Sequence, residues 1–308
     1  MDFVIRKAVI TGATGAIGTA LLRNLIQEGI SVTVLTRPDS PRNDVFPAFP
    51  EVKVRICDLS GLSSYEPEPE DQADVFFHLA WMGASGPARH DPEIQSRNIT
   101  HTLDAVRLAK RLGCHTFIGT GSQAEYGRSD LPLTPETPAF PENAYGAAKL
   151  CAGQLSRLLA EKLQIRHIWL RYLSVYGPYD GPNALIPAAL RKMLANEPLD
   201  LTEGRQIWDY LYSDDAASAL LAAAERGRDG AVYVVGSGDA RPLRDYIERM
   251  AKLSGSQSEL LFGAVPYSKA QVMHLEADIR ALSLDTGWKP ETGFDQGILA
   301  CIRAMKED

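Results

Sequence analysis

Residues 8–18 read Ala8-Val9-Ile10-Thr11-Gly12-Ala13-Thr14-Gly15-Ala16-Ile17-Gly18, and this stretch decides the fold. Its first four residues form a buried-strand pattern, glycines follow, and an amphipathic helix pattern then carries Leu21 and Leu25 on one face. A second strand pattern, Ser31–Thr36, comes next. Glycines between a strand and a helix let a pyrophosphate approach the backbone amides at the helix N-terminus. The stretch therefore predicts a dinucleotide site rather than a turn with only a structural purpose.

The same alternation of strand and helix patterns continues along the chain. Further strands are predicted at Val52–Cys57, Asp74–Leu79, His115–Gly119, Ile165–Leu170 and Ala231–Val235. Helices are predicted at Thr100–Leu112 and Tyr145–Leu163. Repeated β–α units of this kind form parallel sheets with helices on both faces. The sequence thus predicts an α/β fold, a Rossmann-type doubly wound parallel sheet of about seven strands.

The alternation loosens after about Tyr176, where prolines punctuate the chain. Mixed elements follow, namely a helix at Pro187–Asn196, a helix at Leu243–Leu253, a strand at Glu259–Phe262 and a C-terminal helix from about Phe294. These pieces predict a smaller mixed α/β lobe that closes over the carboxyl edge of the sheet, where ligands of this architecture bind. We assign residues 1–175 and 205–240 to the dinucleotide-binding domain, and residues 176–204 and 241–308 to the C-terminal substrate-binding lobe.

The composition argues against several classes of partner. The chain has 308 residues, of which 45% are hydrophobic and 23% charged, as in a soluble globular protein. A net charge of -7 gives no support for binding to nucleic acid or to an anionic membrane. No apolar run approaches the roughly 18–20 residues that span a bilayer, and the start of the chain has no signal-peptide pattern.

The cysteines and histidines show no metal-binding spacing. Cys57, Cys114, Cys151 and Cys301 form no Cys-x-x-Cys motif and lie in or beside apolar segments. The six histidines lack a His-Glu-x-x-His pattern or a similar ligand set. We therefore expect no metal site, and we expect a cytoplasmic protein with reduced thiols.

The segment Asn143-Ala144-Tyr145-Gly146-Ala147-Ala148-Lys149 holds the main candidates for catalysis. Tyr145 and Lys149 are four residues apart, so on a helix both side chains project from one face. A phenol has a pKa of about 10, and a neighbouring ammonium lowers it toward the range useful for proton transfer. On its own, such a pair is more often an ordinary amphipathic helix face. The motifs elsewhere in the chain are what favour a catalytic role for this pair.

Further motifs occur in a fixed order along nearly the whole chain. After the Gly-rich turn come Cys57-Asp58-Leu59, His78-Leu79-Ala80, Asn98, Gly121-Ser122-Gln123-Ala124-Glu125-Tyr126-Gly127, Tyr145 with Lys149, Leu170–Pro178, Asp209–Asp215 and Thr286–Pro290. In these motifs the chain resembles the extended short-chain dehydrogenase/reductases, the group of nucleotide-sugar epimerases, dehydratases and reductases.

The resemblance implies a role for each matching position. Tyr145 would be the acid–base residue, Lys149 would bind the nicotinamide ribose and hold the phenol acidic, and Ser122 would hydrogen-bond the substrate oxygen. The dinucleotide would contact Gly12, Thr14, Gly15, Ala16, Ile17, Thr36, Arg37, Asp58, Leu59, Leu79, Ala80, Thr120, Tyr145, Lys149 and Tyr172. The substrate would contact Trp81, Ser122, Gln123, Ser174, Asn183, Arg205 and Arg241.

The end of the second strand bears on the choice of cofactor. Relatives that retain NAD usually carry an acidic residue there, whereas this chain has Thr36-Arg37, with Arg42 shortly after. A guanidinium can pair with the 2′-phosphate of NADP, which a carboxylate would repel. We therefore expect NADP(H). The alternative is NAD, with Arg37 in solvent or stacked on the adenine.

Two other departures from the family pattern bear on the reaction. The dehydratase branch carries Asp-Glu after its catalytic Thr, but Gln123-Ala124 stand there, so 4,6-dehydration is disfavoured, and Glu125 is interpreted as structural. Ser174 replaces a common Asn, and Trp208 replaces a common Arg near the nucleotide phosphates. The contacts to a sugar nucleotide must therefore differ in detail, and the two arginines named above are candidates to compensate.

The sequence predicts an NADPH-dependent reductase of a nucleotide-linked 4-keto-6-deoxysugar, with hydride transfer to the keto carbon and Tyr145 as proton donor. The main alternative is an NAD-dependent nucleotide-sugar 4-epimerase. A reductase of a non-nucleotide carbonyl compound and a non-catalytic cofactor-binding regulator stay open, although regulators of this fold typically lose the Tyr or the Lys. The resemblance also implies a homodimer formed through the helices at Thr100–Leu112 and Tyr145–Leu163.

Overall fold

A computed structural model describes residues 4–38, 40 and 42–307 of the chain. Its strands are β1 (Lys7–Thr11), β2 (Ser31–Thr36), β3 (Lys53–Ile56), β4 (Val75–His78), β5 (Thr116–Ser122), β6 (Arg166–Tyr172), β7 (Ser174–Tyr176), β8 (Leu199–Leu201), β9 (Ile207–Trp208), β10 (Tyr210–Tyr212), β11 (Val232–Val235), β12 (Arg241–Pro242) and β13 (Leu260–Phe262). Its helices are α1 (Ala16–Gln27), α2 (Pro92–Arg111), α3 (Ala144–Leu163), α4 (Leu185–Leu194), α5 (Ser213–Arg226), α6 (Leu243–Ser254), α7 (Arg280–Thr286) and α8 (Phe294–Glu307). None of the described helices combines the length and the apolarity that a bilayer span requires.

Within the described residues, a seven-stranded parallel sheet forms the centre of the molecule. The strand order is β11-β6-β5-β4-β1-β2-β3, and each neighbouring pair is parallel. Ile10 of β1 lies opposite Val34 of β2 and Phe77 of β4. The strand order reverses at β1, and such a reversal opens a crevice at the carboxyl ends of the strands. The predicted Rossmann-type doubly wound sheet is confirmed.

Helices cover both faces of the sheet, so the central strands are buried on both sides. On one face, Leu21 of α1 and Leu220 of α5 belong to the same core as Ile10. On the other face, Leu108 of α2 packs in a core with Phe76. Burying one such leucine stabilises the fold by about 1.5–3 kcal/mol. The two layers hold the strand ends, and hence the crevice, in fixed positions.

A separate core lies within the second half of the chain. Leu190 of α4, Met250 of α6 and Ile298 of α8 are buried together with Tyr176 and Tyr212. Among the described residues, three short strand pairs accompany this core, the parallel pairs β7–β10 and β8–β13 and the antiparallel pair β9–β12. The helices and the strand predicted for this part of the chain are present, with small differences at their ends. The residue boundaries of the two lobes stay a prediction.

Two element boundaries differ from the sequence prediction by three residues or more. The helix predicted to begin at Thr100 begins at Pro92, because Asp91 caps it and accepts hydrogen bonds from the amides of the first turn. Asn98 therefore lies inside α2, where its Oδ1 accepts a hydrogen bond from the Met82 amide. β5 runs to Ser122, beyond the predicted end at Gly119. Both corrections place more residues at the carboxyl edge of the sheet than the sequence pattern indicates.

Candidate active site

The Gly-rich turn between β1 and α1 lies where the strand order of the sheet reverses. Gly12 has a φ of +79°, and a Cβ there would lie 2.6 Å from the amide nitrogen of Ala80. A Cβ on Gly18 would overlap the carbonyl oxygen of Gly12. A side chain at either position would therefore push the turn away from its neighbours. The backbone, and not side chains, forms the surface that a ligand meets here.

The N-terminus of α1 is open to an anion. Gly15 is its N-cap and has no side chain that could accept hydrogen bonds from the first amides. The first turn is fully described, and it contains no acidic residue. The helix dipole and the amides at this end favour a negatively charged ligand. Thr14, Ala16 and Ile17, the other predicted contacts here, are partly exposed. The turn thus fits the pyrophosphate of a dinucleotide.

The ends of β2 and β3 lie where the adenosine half of a dinucleotide is expected. Thr36 Oγ1 donates to Asn43 Oδ1 over 2.9 Å, and Asn43 Nδ2 donates to the carbonyl of Arg37 over 3.0 Å. The Arg37 side chain is exposed. Asp58 is also exposed, and a hydrogen bond from Ser60 is the main influence that lowers its pKa. Arg37 and Asp58 are therefore accessible to a ligand.

The ends of β4 and β5 adjoin the Gly-rich turn. The amides of Leu79 and Ala80 donate to the carbonyl and the Oγ1 of Thr11, over 3.1 and 3.4 Å. Thr120 Oγ1 donates to the carbonyl of His78 over 3.2 Å. These bonds tie the ends of three adjacent strands together. The structure therefore places Leu79, Ala80 and Thr120 beside the predicted dinucleotide site.

Two predicted cofactor contacts have side chains in the core. Tyr172 is buried, and its hydroxyl donates to the carbonyl of Ala216 in α5 over 2.8 Å. Leu59 is partly buried against the core that holds Leu108 and Phe117. The side chain of Tyr172 is thus not brought to the crevice, and only its main chain could meet a cofactor.

Tyr145 stands in the first turn of α3, beside the end of β5. Asn143 caps this helix, and its Oδ1 accepts a hydrogen bond from the Gly146 amide over 2.9 Å. A Cβ on Gly146 would overlap the carbonyl oxygen of Ala124, so the glycine lets α3 pack closely on the turn that follows Ser122. Ser122 lies near enough to Tyr145 to lower the pKa of its phenol. The structure therefore brings together two of the three predicted catalytic residues.

Lys149, one turn further along α3, completes the predicted trio. Its Nζ donates to the carbonyl of Thr120 over 2.7 Å and lies 3.8 Å from the ring centroid of Trp81. Burial lowers the pKa of this ammonium, and the carboxylate of Glu125 opposes the decrease. An ammonium has three donors, so further hydrogen bonds remain available for a ribose hydroxyl.

The net shift in the pKa of Tyr145 is opposite to the direction expected from a neighbouring ammonium alone. Burial raises the pKa of Tyr145, and the rise is opposed first by the charge of Arg89 and then by the hydrogen bond with Ser122. The guanidinium carbon of Arg89 lies 3.9 Å from the centroid of the phenol ring, whereas Lys149 Nζ lies 5.9 Å from it. Arg89 was missed because no motif contains it. The available signal was its place in a loop at the carboxyl edge of the sheet.

Glu125 holds the main chain beside the site in place, in agreement with the structural role expected from the sequence. Its Oε1 accepts hydrogen bonds from the Ser122 amide over 2.8 Å and from Trp169 Nε1 over 3.0 Å. Its Oε2 accepts a hydrogen bond from Arg171 Nε over 2.6 Å. The side chain is fully buried. Glu125 therefore fixes the main chain of Ser122 and does not face a substrate.

A cavity of about 550 Å³ opens beyond the end of β6. Ser174 and Trp208, which both depart from the family pattern, line it, and Trp208 Nε1 donates to Ser174 Oγ over 2.8 Å. Tyr172, the residue that directly precedes the first residue of the cavity wall, pairs with Ser122 in the sheet. Among the described residues that line the cavity, none is Lys or Arg. The wall of the cavity therefore begins one residue after the strand position that pairs with Ser122, and its described residues supply no cation.

The other predicted substrate contacts are only partly brought together. Trp81 lies against Lys149, and Gln123 directly follows Ser122. Asn183 is exposed and precedes a residue of the cavity wall. Arg205 is 74% exposed and paired with a nearby glutamate, and Arg241 is paired with a nearby aspartate. Neither arginine is among the described residues of the cavity wall, so their contact with a substrate stays a prediction.

The fold and the site together define a class of protein. A Gly-rich turn at the reversal of the sheet fits a dinucleotide, and a buried Tyr–Ser–Lys trio at the end of β5 and the start of α3 fits proton transfer beside it. These are the features of an NAD(P)-dependent oxidoreductase of the short-chain dehydrogenase/reductase type. A model of the NAD dependent epimerase/dehydratase family matches residues 8–236. The chain belongs to that family, and the resemblance drawn from the sequence is confirmed.

Known proteins resemble the chain over nearly its whole length. It is 28% identical over 315 residues to CDP-abequose synthase of Salmonella muenchen, and the alignment covers 99% of both chains. It is 26% identical over 325 residues to dTDP-4-dehydro-6-deoxyglucose reductase of Escherichia coli, again with 99% of both chains covered. The structure of RMD from Pseudomonas aeruginosa complexed with NADPH matches with a TM-score of 0.82 at 25% identity, over 98% of this chain and 99% of that one. The first two relatives are named for nucleotide-linked sugars, and the third was solved with NADPH.

Proposed function

We propose that the protein reduces the keto group of a nucleotide-linked 4-keto-6-deoxysugar with NADPH. The observation that carries the proposal is the burial of Tyr145 at the start of α3, beside Ser122 at the end of β5, with Lys149 one turn away. The relative that is named as a dTDP-4-dehydro-6-deoxyglucose reductase supports this class of substrate, because the two chains align from end to end. The cavity of about 550 Å³ that Ser174 and Trp208 line is of a size that small-molecule sites have, which supports a bulky substrate.

The residues of the trio have separate tasks in this mechanism. A bound nicotinamide cofactor supplies the hydride that reaches the keto carbon. As negative charge develops on the carbonyl oxygen, the Ser122 hydroxyl donates a hydrogen bond to it and Tyr145 gives up its proton to it. Burial raises the pKa of Tyr145, so the phenol holds its proton near neutral pH and begins the reaction as an acid. A reduction requires a proton donor at this step, and a protonated Tyr145 meets that requirement.

NADPH is proposed over NADH because of the end of β2. The exposed Arg37 follows Thr36 there, where an acidic side chain would otherwise bind the ribose hydroxyls of NAD. A guanidinium can form two parallel hydrogen bonds with a 2′-phosphate. The complex of the relative RMD with NADPH supports the same choice.

The second candidate is an NAD-dependent nucleotide-sugar 4-epimerase. The description of the matching family names both epimerases and NAD, which favours this reaction. An epimerase returns the hydride to its substrate and keeps its cofactor, whereas a net reduction must release the oxidised cofactor. Tightly held, stoichiometric NAD in the purified protein would therefore count against the reductase.

A substrate panel tests the proposal. The purified protein is incubated with dTDP-4-dehydro-6-deoxyglucose, its CDP-linked counterpart and nucleotide hexoses, with NADPH or NADH, and both cofactor oxidation and isomeric products are measured. We expect oxidation of NADPH with a keto substrate and a loss of roughly 10²-fold or more in Tyr145→Phe. Tyr233→Phe is the control, because the Tyr233 hydroxyl is bonded to Asp285 and takes no part in the site. Isomeric products without NADPH oxidation would favour the epimerase, and unchanged biological activity in Tyr145→Phe would favour a regulator.

Three wider expectations belong to the same proposal. We infer a homodimer formed through α2 and α3, supported by Leu155 and Leu158 of α3, which are 40% and 51% exposed. We infer a cytoplasmic location, supported by four cysteines that are all described as free thiols. We keep residues 176–204 and 241–308 as the substrate lobe, supported by the separate core of α4, α6 and α8.

A further inference from the structure

Two side chains of the cavity wall are hydrogen-bonded to each other. Trp208 Nε1 donates to Ser174 Oγ over 2.8 Å, and both residues line the cavity of about 550 Å³. An indole N–H can only donate, so the serine oxygen is the acceptor in this bond. The hydroxyl proton of Ser174 therefore points away from Trp208 and is left for another acceptor.

No side chain or carbonyl takes that proton in the part of the chain that the structure describes, where Ser174 Oγ is the donor of no hydrogen bond. Ser174 is only partly buried, and it belongs to the cavity wall, so its hydroxyl is accessible from the cavity. A hydroxyl keeps one donor when its oxygen accepts a bond from elsewhere. The pair thus presents a hydrogen-bond donor to the contents of the cavity.

Strand pairing holds both members of the pair. Ser174 lies opposite Tyr210 in the parallel pair β7–β10, and Trp208 lies opposite Arg241 in the antiparallel pair β9–β12. The indole also packs against the core that contains Leu173. Because the indole already occupies one side of the serine oxygen, fewer directions are open to the hydroxyl before a ligand binds. Less rotational freedom is then lost on binding.

The charges of the wall make a neutral donor important here. The described wall holds the carboxylates of Asp180 and Asp200 and no Lys or Arg. A carboxylate only accepts hydrogen bonds, and it repels an anionic oxygen. Hydrogen bonds from this wall to an oxygen of the substrate must therefore come from uncharged groups such as the Ser174 hydroxyl.

We propose that the Ser174 hydroxyl donates to an oxygen of the substrate, on its nucleoside diphosphate or on its keto sugar, and that Trp208 is the positioning residue that directs this hydroxyl. The inference rests on the proposed function, because it takes the substrate to be a nucleotide-linked sugar. A bond of this kind is formed equally in the ground state and in the transition state. Its loss therefore raises KM and leaves kcat near the wild-type value.

A double-mutant cycle tests whether Trp208 acts through Ser174. Calorimetry without NADPH measures the binding of dTDP, CDP and dTDP-4-dehydro-6-deoxyglucose to the wild type, Ser174→Ala, Trp208→Phe and the double variant. Phenylalanine keeps an aromatic ring but lacks the N–H. We expect roughly tenfold weaker binding in Ser174→Ala and about threefold weaker binding in Trp208→Phe. The double variant should bind no more weakly than Ser174→Ala, because the hydroxyl that Trp208 directs is already absent.

Trp288→Phe is the matched control. Trp288 Nε1 donates to Ser218 Oγ over 2.9 Å, and neither residue belongs to the described cavity wall. The control removes an equivalent bond between an indole and a serine, so affinity and KM should stay unchanged. If Trp208→Phe does not fold, Trp208→Leu completes the same cycle.

The outcomes separate the inference from the proposed function. Weaker binding of dTDP or CDP places the acceptor oxygen on the nucleoside diphosphate, and a loss confined to the keto substrate places it on the sugar. Either result, with the expected coupling, supports the inference. Losses that multiply in the double variant, or an equal loss in Trp288→Phe, would overturn the inference and leave the proposed function standing. If the wild type binds none of the three compounds, the proposed function fails and the inference fails with it.

Discussion

Glu125→Gln is predicted to destabilise the protein by about 3–5 kcal/mol, because it breaks a buried ion pair and leaves one partner behind. Glu125 is 0% exposed and Arg171 is 6% exposed, and 2.6 Å separates Oε2 from Nε. Glutamine keeps the size of the side chain and one acceptor oxygen, so the hydrogen bond from the Ser122 amide can survive. The guanidinium of Arg171 is then buried without a counter-charge, which is the source of the loss.

Thermal unfolding followed by circular dichroism measures this loss. For domains of 150–250 residues, 1 kcal/mol lowers Tm by about 2–4 °C, so the predicted loss corresponds to a decrease of about 6–20 °C. Glu142→Gln is the matched control, because Glu142 and Arg128 are 2.9 Å apart but are 38% and 49% exposed. An exposed pair of this kind contributes about 0–1 kcal/mol, so the control should lose only a few degrees.

Equal losses of Tm in the two variants would refute the reasoning, because burial would then add nothing to the ion pair. The double variant Glu125→Leu/Arg171→Met is expected to recover part of the loss of stability, since it removes both charges together. Its activity should stay low, because the Ser122 amide has lost its buried acceptor. Recovery of both stability and activity would contradict the positioning role of Glu125.

Three further outcomes are expected. Burial lowers the pKa of His78 to about 3 and of His167 to about 4, so below about pH 6.5 the unfolded chain binds protons that the folded chain does not. The free energy of unfolding in urea should therefore have its full value above that pH and should fall as the pH decreases toward 4. The decrease should reach up to about 1.4 kcal/mol per pH unit for each histidine. A free energy that does not change with pH would contradict this. Trp208→Arg adds a cation to a cavity whose described wall has none. Calorimetry should therefore show roughly tenfold tighter binding of a nucleoside diphosphate to this variant. An unchanged affinity would argue against phosphates beside Trp208. Leu158→Glu should convert a dimer into monomers in light scattering, whereas Leu284→Glu, on the exposed side of α7, should not, and a dimer that persists in both would exclude the α3 interface.

The sheet could be predicted because most of its strands are local apolar runs. The second strand has its predicted bounds, Ser31–Thr36, and β1 differs from its prediction at one end only. β5 is the exception, because the stretch after Gly119 contains a second glycine and looks like a loop in the sequence. In the structure the indole of Trp169 packs on Gly119 and Gly121, where a Cβ would overlap it. Trp169, which packs on this part of β5, is thus distant from it in the sequence.

Helices were less predictable where their apolar residues are small. α5, which no sequence pattern predicts, is buried mainly through alanines such as Ala216 and Ala223. Alanines give a weak apolar periodicity, so the burial of this helix depends on its packing against α1. The early start of α2 depends on the cap Asp91, in a stretch where no apolar repeat marks the helix.

The identity of the trio could be predicted from spacing and motifs, but its electrostatics could not. Tyr145, Lys149 and Ser122 were named from the sequence, and the structure places them at adjacent strand and helix ends. The pKa of Tyr145 depends on how much water is removed from it and on Arg89, which lies in another loop. Neither quantity can be read from a four-residue spacing, so the sequence does not give the direction of the net shift in this pKa.

The central claim is that Tyr145 protonates a keto oxygen while a hydride reaches the carbon that bears it. The most direct measurement is a single turnover of dTDP-4-dehydro-6-deoxyglucose, or its CDP-linked counterpart, with deuterium-labelled NADPH, followed by mass spectrometry and NMR of the product. We predict one deuterium at the former keto carbon, an equal amount of released NADP, and neither in Tyr145→Phe. An isomer of the substrate that carries no deuterium, formed without consumption of NADPH, would contradict the account.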